Sequence, residues 1–254
     1  MEKINELKAY VKTDFCTNIV YNRHCHLGCE FIYVTNGSIK ISIESTEYIL
    51  KSGDAIMIKP QKYHLVVGNN ALYGRLVAEF PREFVPSVIS ERFFSAIERN
   101  PVLSRESNFL TNKLTECIEA NHPMYDPLVH SLLIHIIYYY CFDNPAENAT
   151  ESVTDKIING AVDYIDRYLD SDFTLADIAG ALFISVSSLS HLFKEKMKIS
   201  VKQYILQKKM YYAAQLLREG MPASEVAFKC GYDNYSSFYK VFLRIIGTPP
   251  SKSL

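Results

Sequence analysis

The stretch "TLADIAGALFISVSSLSHLFKEKM", Thr174 to Met197, decides the C-terminal fold of this 254-residue chain. Thr174, followed three residues later by Asp177, is a signal for a helix start, and Ser185 is a second one. Apolar residues recur at helical spacing after each signal. The first set is Leu175, Ile178, Ala179 and Leu182, and the second is Leu189, Leu192 and Phe193. The stretch therefore predicts two short helices packed across a turn.

The second of these helices has a polar outer face. Its members are Ser187, Ser188, Ser190, His191 and Lys194. Small hydroxyls with a few donors, and no carboxylate among them, suit a helix that lies in the major groove of DNA. One feature is unusual, because Phe183 stands in the turn where many helix-turn-helix units have glycine.

The pattern recurs in "ASEVAFKCGYDNYSSFYKVFLR", Ala223 to Arg244. Gly231 permits the turn, and Asp233 or Asn234 caps the second helix. The residues left exposed are Tyr235, Ser236, Tyr239, Lys240 and Arg244. The segment 201–220 between the units reads as one helix of about 19 residues, roughly 28 Å long. Since successive major-groove windows lie roughly 34 Å apart, one chain is predicted to read two windows.

Charge is distributed unevenly along the chain, although the net charge is -1. Residues 182–254 contain 11 Lys and Arg against 4 Asp and Glu, whereas residues 1–152 contain 14 against 18. A basic C-terminal part that also carries two tandem helix pairs predicts binding to double-stranded DNA.

These motifs resemble the double helix-turn-helix domain of AraC/XylS-type bacterial transcription regulators, above all "L-S-x-x-F-K" from Leu189 and "E-V-A-x-x-x-G-Y" from Glu225. The resemblance covers about 100 residues. It implies recognition helices at 186–196 and 235–244, an operator as the DNA partner, and RNA polymerase as a further partner of an activator. It also places the main base-contacting positions at His191 and Lys240, where the family usually has Arg. Neither residue offers the bidentate fork of Arg, so we expect a different or looser site preference.

The N-terminal part reads differently. Residues 1–82 contain short β-branched and aromatic runs with turn signals between them, which predicts an all-β barrel or sandwich. Residues 83–142 become helical and end in "PLVHSLLIHIIYYYCF". A stripe on this last helix comprises Leu128, Leu132, His135, Ile136 and Tyr139, and Leu133, Ile137 and Tyr140 lie beside it. So wide an apolar arc must be covered, either within the chain or by a second copy in a homodimer.

Residues 143–152, "DNPAENATES", lack apolar periodicity and are predicted to be a linker to the DNA-binding domain at 153–254. The predicted fold class is therefore α+β and multidomain: an N-terminal cupin-like β-barrel, a helical dimerisation segment and an all-α double helix-turn-helix domain.

The cupin assignment comes from "RHCHLGCEF", Arg23 to Phe31. If the strand is regular, His24, His26 and Glu30 point to one face, and the two cysteines between them point to the other. The pattern "H-x-H-x3-E-x6-G" from His24, followed by "GDAIMIKPQKYH" ending at His64, resembles the two signature motifs of cupin barrels. The resemblance implies that His24, His26, Glu30 and His64 converge inside the barrel.

Three readings of this set stay open at this stage. The four residues line a pocket for a small organic effector, with sugars frequent in AraC-type sensors; or they hold a divalent metal such as Fe(II), Mn(II), Ni(II) or Zn(II); or the histidines only surround a buried glutamate. We expect no resident cofactor and no enzymatic activity, since the chain has no Gly-rich phosphate loop, CxxC pair or nucleophile elbow. One rival is a metal-dependent cupin sensor or enzyme fused to a DNA-binding domain, and another is an architectural DNA-binding protein with an empty barrel.

Two further expectations concern location. No apolar run approaches the roughly 18 residues of a membrane span, and the start of the chain is too polar for a signal peptide. Six cysteines show no regular framework, as in a reducing cytoplasm. The sequence thus predicts a cytoplasmic, ligand-responsive transcription regulator.

Overall fold

The structure is a computed structural model that describes residues 7–15, 24–68, 72–103, 108–120, 125–142 and 153–252. The chain divides into two compact units, within Lys3–Thr150 and within Glu151–Leu254. The predicted linker at 143–152 lies outside the described residues.

The described strands of the N-terminal unit form two antiparallel sheets. The larger sheet has the order β1 (Lys8–Phe15), β7 (Leu72–Phe80), β2 (Cys29–Asn36), β5 (Ala55–Ile58) and β8 (Val102–Leu103). The smaller sheet has the order β4 (Thr46–Lys51), β3 (Ser38–Ile43) and β6 (His64–Gly68). The cupin-like, antiparallel architecture predicted from the sequence is confirmed.

Strand β2 separates two apolar cores by the alternation of its side chains. Ile32 and Val34 belong to the core between the two sheets, together with Ile39, Ile41 and Val66 of the smaller sheet. Cys29, Phe31 and Tyr33 belong to the core on the opposite face, against the helices. Glu30 shares the parity of Ile32 and Val34, so its side chain enters the space between the sheets.

Three helices cover the outer face of the larger sheet: α1 (Ser87–Arg99), α2 (Asn108–Glu119) and α3 (Tyr125–Phe142). The side of α3 that packs on the sheet consists of Val129, Leu133, Ile136, Ile137 and Tyr140. The predicted stripe is therefore wrong in part, because Leu128 and His135 are exposed. The helix is apolar nearly all round, so periodicity alone did not fix which side faces the sheet.

The segment between β7 and α3 is also less regular than predicted. A short 3-10 helix (Arg82–Phe84) precedes α1, and β8 adds an edge strand that pairs with β5. The Tyr140 hydroxyl donates a 2.8 Å hydrogen bond to the carbonyl of Pro101, which ties α3 to the start of β8.

The C-terminal unit contains α4 (Val153–Arg167), α5 (Leu175–Ala181), α6 (Val186–Met197), α7 (Val201–Arg218), α8 (Ala223–Lys229), α9 (Tyr235–Ile246) and a short 3-10 helix (Pro250–Lys252). Thr174 and Asp177 form a full capping box at α5, and Ser185 caps α6. Of the two candidates for the α9 cap, Asn234 is the one that accepts from the Ser237 amide. The predicted helix pairs and their starts are confirmed.

The turns of the two helix pairs share one backbone design. Phe183 and Gly231 both lie in the left-handed region, with φ of 56° and 84°. Each donates its amide to the carbonyl three residues back, and the next amide reaches the carbonyl five residues back. Phe183 therefore adopts the glycine conformation at a cost in backbone energy, with its side chain 95% exposed.

Among the described residues no single helix is both long and apolar enough to cross a membrane; α5 and α6 reach that length only together, across a 91° bend. Of the described cysteines, Cys29, Cys117, Cys141 and Cys230 are free thiols.

Candidate functional site

The first candidate surface is the outer face of α6. Leu189, Phe193 and Met197 are fully buried, which turns the opposite side of the helix outward. Of the predicted DNA-binding residues, Ser187, Ser188, His191 and Lys194 are exposed and Ser190 is half-buried. The structure thus brings the predicted set together on one accessible face.

Two of these hydroxyls already have local partners. The Ser188 Oγ lies 2.8 Å from the Ser185 Oγ, and the Ser190 Oγ donates a 2.8 Å bond to the carbonyl of Val186. The Nδ1 of His191 lies 3.8 Å from an oxygen of Glu195, a carboxylate that the sequence analysis did not include. If α6 lies in a DNA groove, its polar contacts to a base would therefore rest chiefly on Ser187, His191 and Lys194.

The corresponding face of α9 is bulkier and more basic. Tyr235, Ser236, Lys240 and Arg244 are exposed and Tyr239 is half-buried. The opposite side is anchored by Phe238 and Phe242, which are fully buried. Two cations and two aromatic rings on one face can contact phosphates, base edges and thymine methyl groups.

Some cations of this unit support the fold instead. The Lys208 Nζ is buried 2.6 Å from the Asp166 carboxylate, and the Lys196 Nζ lies 2.8 Å from Asp155. Both pairs tie α4 to the helices of the reading unit. The basic excess counted in the sequence therefore overstates the charge that is free to meet phosphate.

A groove beside α8 has the opposite character. Its lining includes four carboxylates, Asp170, Asp172, Glu225 and Asp233. Carboxylates repel phosphate, so this side of the unit is unsuited to the DNA backbone.

The second candidate site is the polar cluster of the N-terminal unit. His24 and His64 form an isolated antiparallel bridge, with backbone N–O distances of 3.1 and 2.9 Å. Strand β2 begins only at Cys29, so the regular strand assumed for His24 to Glu30 does not exist. The four residues nevertheless meet: His26, Glu30 and His64 are buried, and His24 lies at the exposed rim.

The cluster is centred on one carboxylate oxygen. The Oε2 of Glu30 lies 2.8 Å from the Nε2 of His64 and 3.2 Å from the Nε2 of His26. The ring of His24 lies 4.4 Å from that of His64, centroid to centroid. Ligand atoms of His24, Glu30 and His64 all lie within 4.8 Å of one another.

Backbone carbonyls fix the tautomers of the two buried rings. The Nδ1 of His26 lies 2.9 Å from the carbonyl of Gly28, and the Nδ1 of His64 lies 2.9 Å from the carbonyl of Lys62. A carbonyl only accepts, so each Nδ1 must carry a hydrogen. In a neutral ring, Nε2 then carries a lone pair and lies close to the carboxylate. The arrangement is stable only when protons or another cation lie between these atoms.

The pKa values reflect this geometry. Burial tends to raise the pKa of Glu30, but the charge of His64 and the hydrogen bond of His26 bring it well below its usual range. Burial tends to lower the pKa of His26, yet the hydrogen bond and charge of Glu30 raise it overall. The carboxylate is thus ionised and favours a positive or hydrogen-donating partner.

Glu79 is a nearby acid that the sequence analysis missed. It lies opposite Glu30 in the β2–β7 register, and burial together with the charge of Glu30 raises its pKa. Glu79 lies an even number of residues from Val77 and Tyr73 on β7, which predicts that the three side chains share one face of the strand. Its pairing with Glu30 was not predictable, because it depends on the register of strands about fifty residues apart.

Comparisons with known proteins support both halves. A family described as a helix-turn-helix domain matches residues 168–254, and a family described as a cupin domain matches residues 20–71. The chain is 25% identical over 234 residues to the uncharacterized HTH-type transcriptional regulator YdiP of Escherichia coli K12, covering 87% of this chain and 77% of that protein.

Two other similarities span nearly the whole chain. The HTH-type transcriptional activator RhaR of Enterobacter sp. strain 638 is 24% identical over 267 residues, covering 94% of this chain and 93% of its own. The crystal structure of ToxT from Vibrio cholerae with a bound unsaturated fatty acid aligns with a TM-score of 0.41 and 14% identity, covering 99% of this chain and 96% of that one.

Proposed function

We propose that this chain controls transcription from a DNA operator in response to a small molecule. The chain belongs to the AraC/XylS-type transcription regulators and carries an N-terminal cupin-like domain. In this proposal the small molecule binds at the cluster of His24, His26, Glu30 and His64. The observation that carries the proposal is the convergence of three histidines on the buried Glu30 carboxylate, in a chain whose other unit exposes the outer faces of α6 and α9.

The chemistry of the cluster favours a ligand with several donors. The ionised Glu30 carboxylate accepts hydrogen bonds, and Glu30 lies on the face of β2 that turns toward the apolar core between the sheets. A sugar or related polyol matches such a site, since its hydroxyls donate to Glu30 while its ring carbons contact the apolar walls. We therefore place a sugar-like metabolite first among the effectors.

A divalent metal is the second candidate, favoured by the tautomers of the rings. Ligand atoms that are about 2.1 Å from one metal lie roughly 3 Å apart, close to the separations of 2.8 and 3.2 Å around the Glu30 oxygen. Glu30, His64 and His24 would hold the ion, with His26 as the further ligand. A bound ion would act as a Lewis acid that fixes an effector oxygen.

We assign the exposed side of α3 to a homodimer. It presents Leu128, Tyr138 and Phe142 to solvent, and the Tyr138 and Phe142 rings stack at 4.5 Å. Large apolar side chains on one helix face are typical of protein interfaces. Sedimentation of Leu128→Asp and Tyr138→Lys variants tests the dimer, which both substitutions should weaken.

We further assign the protein to the cytoplasm, where the operator and RNA polymerase are its partners.

DNA reading is tested with duplexes selected by the full-length protein from a random 40-bp library. His191→Ala with Lys240→Ala should abolish specific gel shifts, because both reading helices lose a basic contact. Lys202→Ala is the matched control, since it removes an exposed cation from α7 outside both faces. Normal binding by the double variant would refute the assignment of the recognition helices.

The ligand class is tested by elemental analysis of untagged protein purified without chelators. Stoichiometric metal that is lost in His24→Ala/His64→Ala would favour the metal-dependent sensor. Protein free of metal, whose operator affinity changes with a sugar in a screen, would favour the organic effector. A DNA response that neither metals nor small molecules change would refute the sensor role.

A further inference from the structure

The connection between β5 and β6, Lys59 to Tyr63, contacts the histidine cluster on one side and helix α1 on the other. We infer that Glu98 of α1 is a positioning residue for the cluster: it holds this connection and thereby couples the two buried histidines to α1. The inference rests on the proposed role of the cluster as the effector site, and it adds a route by which occupancy would be transmitted.

The connection holds both buried histidines through its backbone. The carbonyl of Lys62 accepts the Nδ1–H of His64 at 2.9 Å, and the amide of Gln61 donates to the carbonyl of His26 at 2.8 Å. The first contact sets the tautomer and orientation of the His64 ring, and the second positions the backbone of His26. A shift of these two residues would therefore misalign both Nε2 atoms relative to Glu30.

Glu98 holds the same connection from the helix side. The Lys59 Nζ donates to one oxygen of Glu98, and the Lys62 Nζ lies 3.5 Å from the other. Lys62 therefore contacts α1 through its side chain and His64 through its carbonyl. The Lys62 side chain is 15% exposed and the Glu98 side chain 48% exposed, so solvent screens this half-buried ion pair less than a fully exposed one.

The connection has little freedom to take another path. Gln61 adopts a left-handed φ of 63°, a conformation that costs energy for a residue with a Cβ. Beyond it, the Tyr63 amide donates to the Glu44 carboxylate at 3.1 Å, and the Glu44 amide donates to the Tyr63 carbonyl at 2.7 Å. A segment so fixed at one end transmits a displacement instead of absorbing it.

Helix α1 continues the route to the end of the N-terminal unit. Arg92 donates its Nε–H to the carbonyl of Cys141 at 2.8 Å and lies over the Phe142 ring at 4.0 Å. Phe93 packs edge-on against Tyr140 at 6.0 Å. Consecutive contacts therefore run from His64 through Lys62, Glu98 and α1 to the last turn of α3.

The test is the side-chain NMR spectrum of full-length protein labelled with 15N-histidine. We expect Glu98→Gln to shift the His64 ring signals and to raise the solvent exchange rate of its Nδ1–H by at least about tenfold, because the Lys62 carbonyl loses its support. Glu91→Gln is the matched control, since it removes an exposed carboxylate from the same helix. Glu98→Asp should restore part of the wild-type spectrum.

Unchanged His64 signals in Glu98→Gln, or equal changes in Glu91→Gln, would overturn the inference. Should Glu98→Gln fold poorly, the double variant Lys59→Met/Lys62→Met gives a second test, because it removes both cations that Glu98 holds and leaves the helix unchanged. It must raise the same exchange rate. Titration of wild-type protein with Zn²⁺ alone and with a sugar mixture reports separately on the proposed function. If neither moves the histidine signals, the effector assignment fails, whereas the comparison of the variants still decides the role of Glu98.

Discussion

The two helix-turn-helix units of this protein have one backbone design and two different surfaces. Their turns make the same pair of hydrogen bonds, yet the left-handed position is Phe183 in the first unit and Gly231 in the second. The outer face of α6 carries three serines, a histidine and a lysine, whereas that of α9 carries two tyrosines, a serine, a lysine and an arginine. The same fold thus forms with two different sets of exposed residues, because the spacing of the buried apolar residues and the helix caps specify it.

The largest expected effect comes from breaking the support that α4 gives to the helix between the two units. Asp166→Ala should lower the free energy of unfolding by about 2–3 kcal/mol, because it leaves the buried Lys208 charge without its partner. The double variant Asp166→Ala/Lys208→Met should recover most of this loss. Urea denaturation of both measures it, and equal stability of the two variants would contradict the role of the pair.

The next effect separates the two reading faces. Lys240→Ala should weaken binding to a selected duplex by about 1–3 kcal/mol, and footprinting should show the loss in the window read by α9. His191→Ala should cost less, because its ring already lies beside Glu195. Equal losses spread over both windows would show that the two units do not read DNA independently.

A smaller effect tests the turns themselves. Phe183→Gly should stabilise the protein by up to about 1 kcal/mol through relief of left-handed strain, and Gly231→Ala should destabilise it by a similar amount. An added Cβ at 231 would meet only the Lys209 Nζ at 3.8 Å and Asp172 at 4.0 Å, so the cost is conformational and not a clash. Thermal unfolding of both variants measures the pair. A loss of stability in Phe183→Gly would mean that the exposed ring contributes more than its backbone costs.

The smallest effect is a pH dependence confined to the first unit. In the first unit, the hydrogen bonds of Thr174 lower the pKa of the Asp177 carboxyl at the start of α5. In the second unit, α8 has Pro222 at its N-cap and therefore no side-chain cap. A lowered pKa means that the cap stabilises the fold above the unfolded pKa of about 3.9 and is lost as the pH falls through the folded value. Asp177→Asn should therefore lower Tm slightly at pH 7 and leave it unchanged at pH 2. A difference that persists at low pH would show that the cap does not depend on the charge.

The sequence predicted the structure best where the contacting residues are close together along the chain. Thr174, Ser185 and the apolar positions of α5, α6, α8 and α9 act within a few residues, and the structure agrees with them. The analysis was weaker where a helix is apolar on every side, as in α3, since the choice of buried face is made by the sheet it meets.

The histidine cluster lies between these cases. His24, His26, Glu30 and His64 were singled out from motif resemblance, and they lie together although the strand expected to align them starts only at Cys29. Glu79 and Glu98 were missed, because each meets the cluster or its supporting connection from an element distant in sequence.

The sequence by itself determined the helix starts, the two turns, the residues exposed on α6 and α9, and the division into a β-rich and an all-α part, because capping, periodicity and charge act over a few neighbouring positions. Only the tertiary structure decided which face of α3 is buried, which carbonyls fix the histidine tautomers, and which glutamates face them. These features depend on the register of distant strands and on helix docking, where a shift of one residue would turn every side chain to another face.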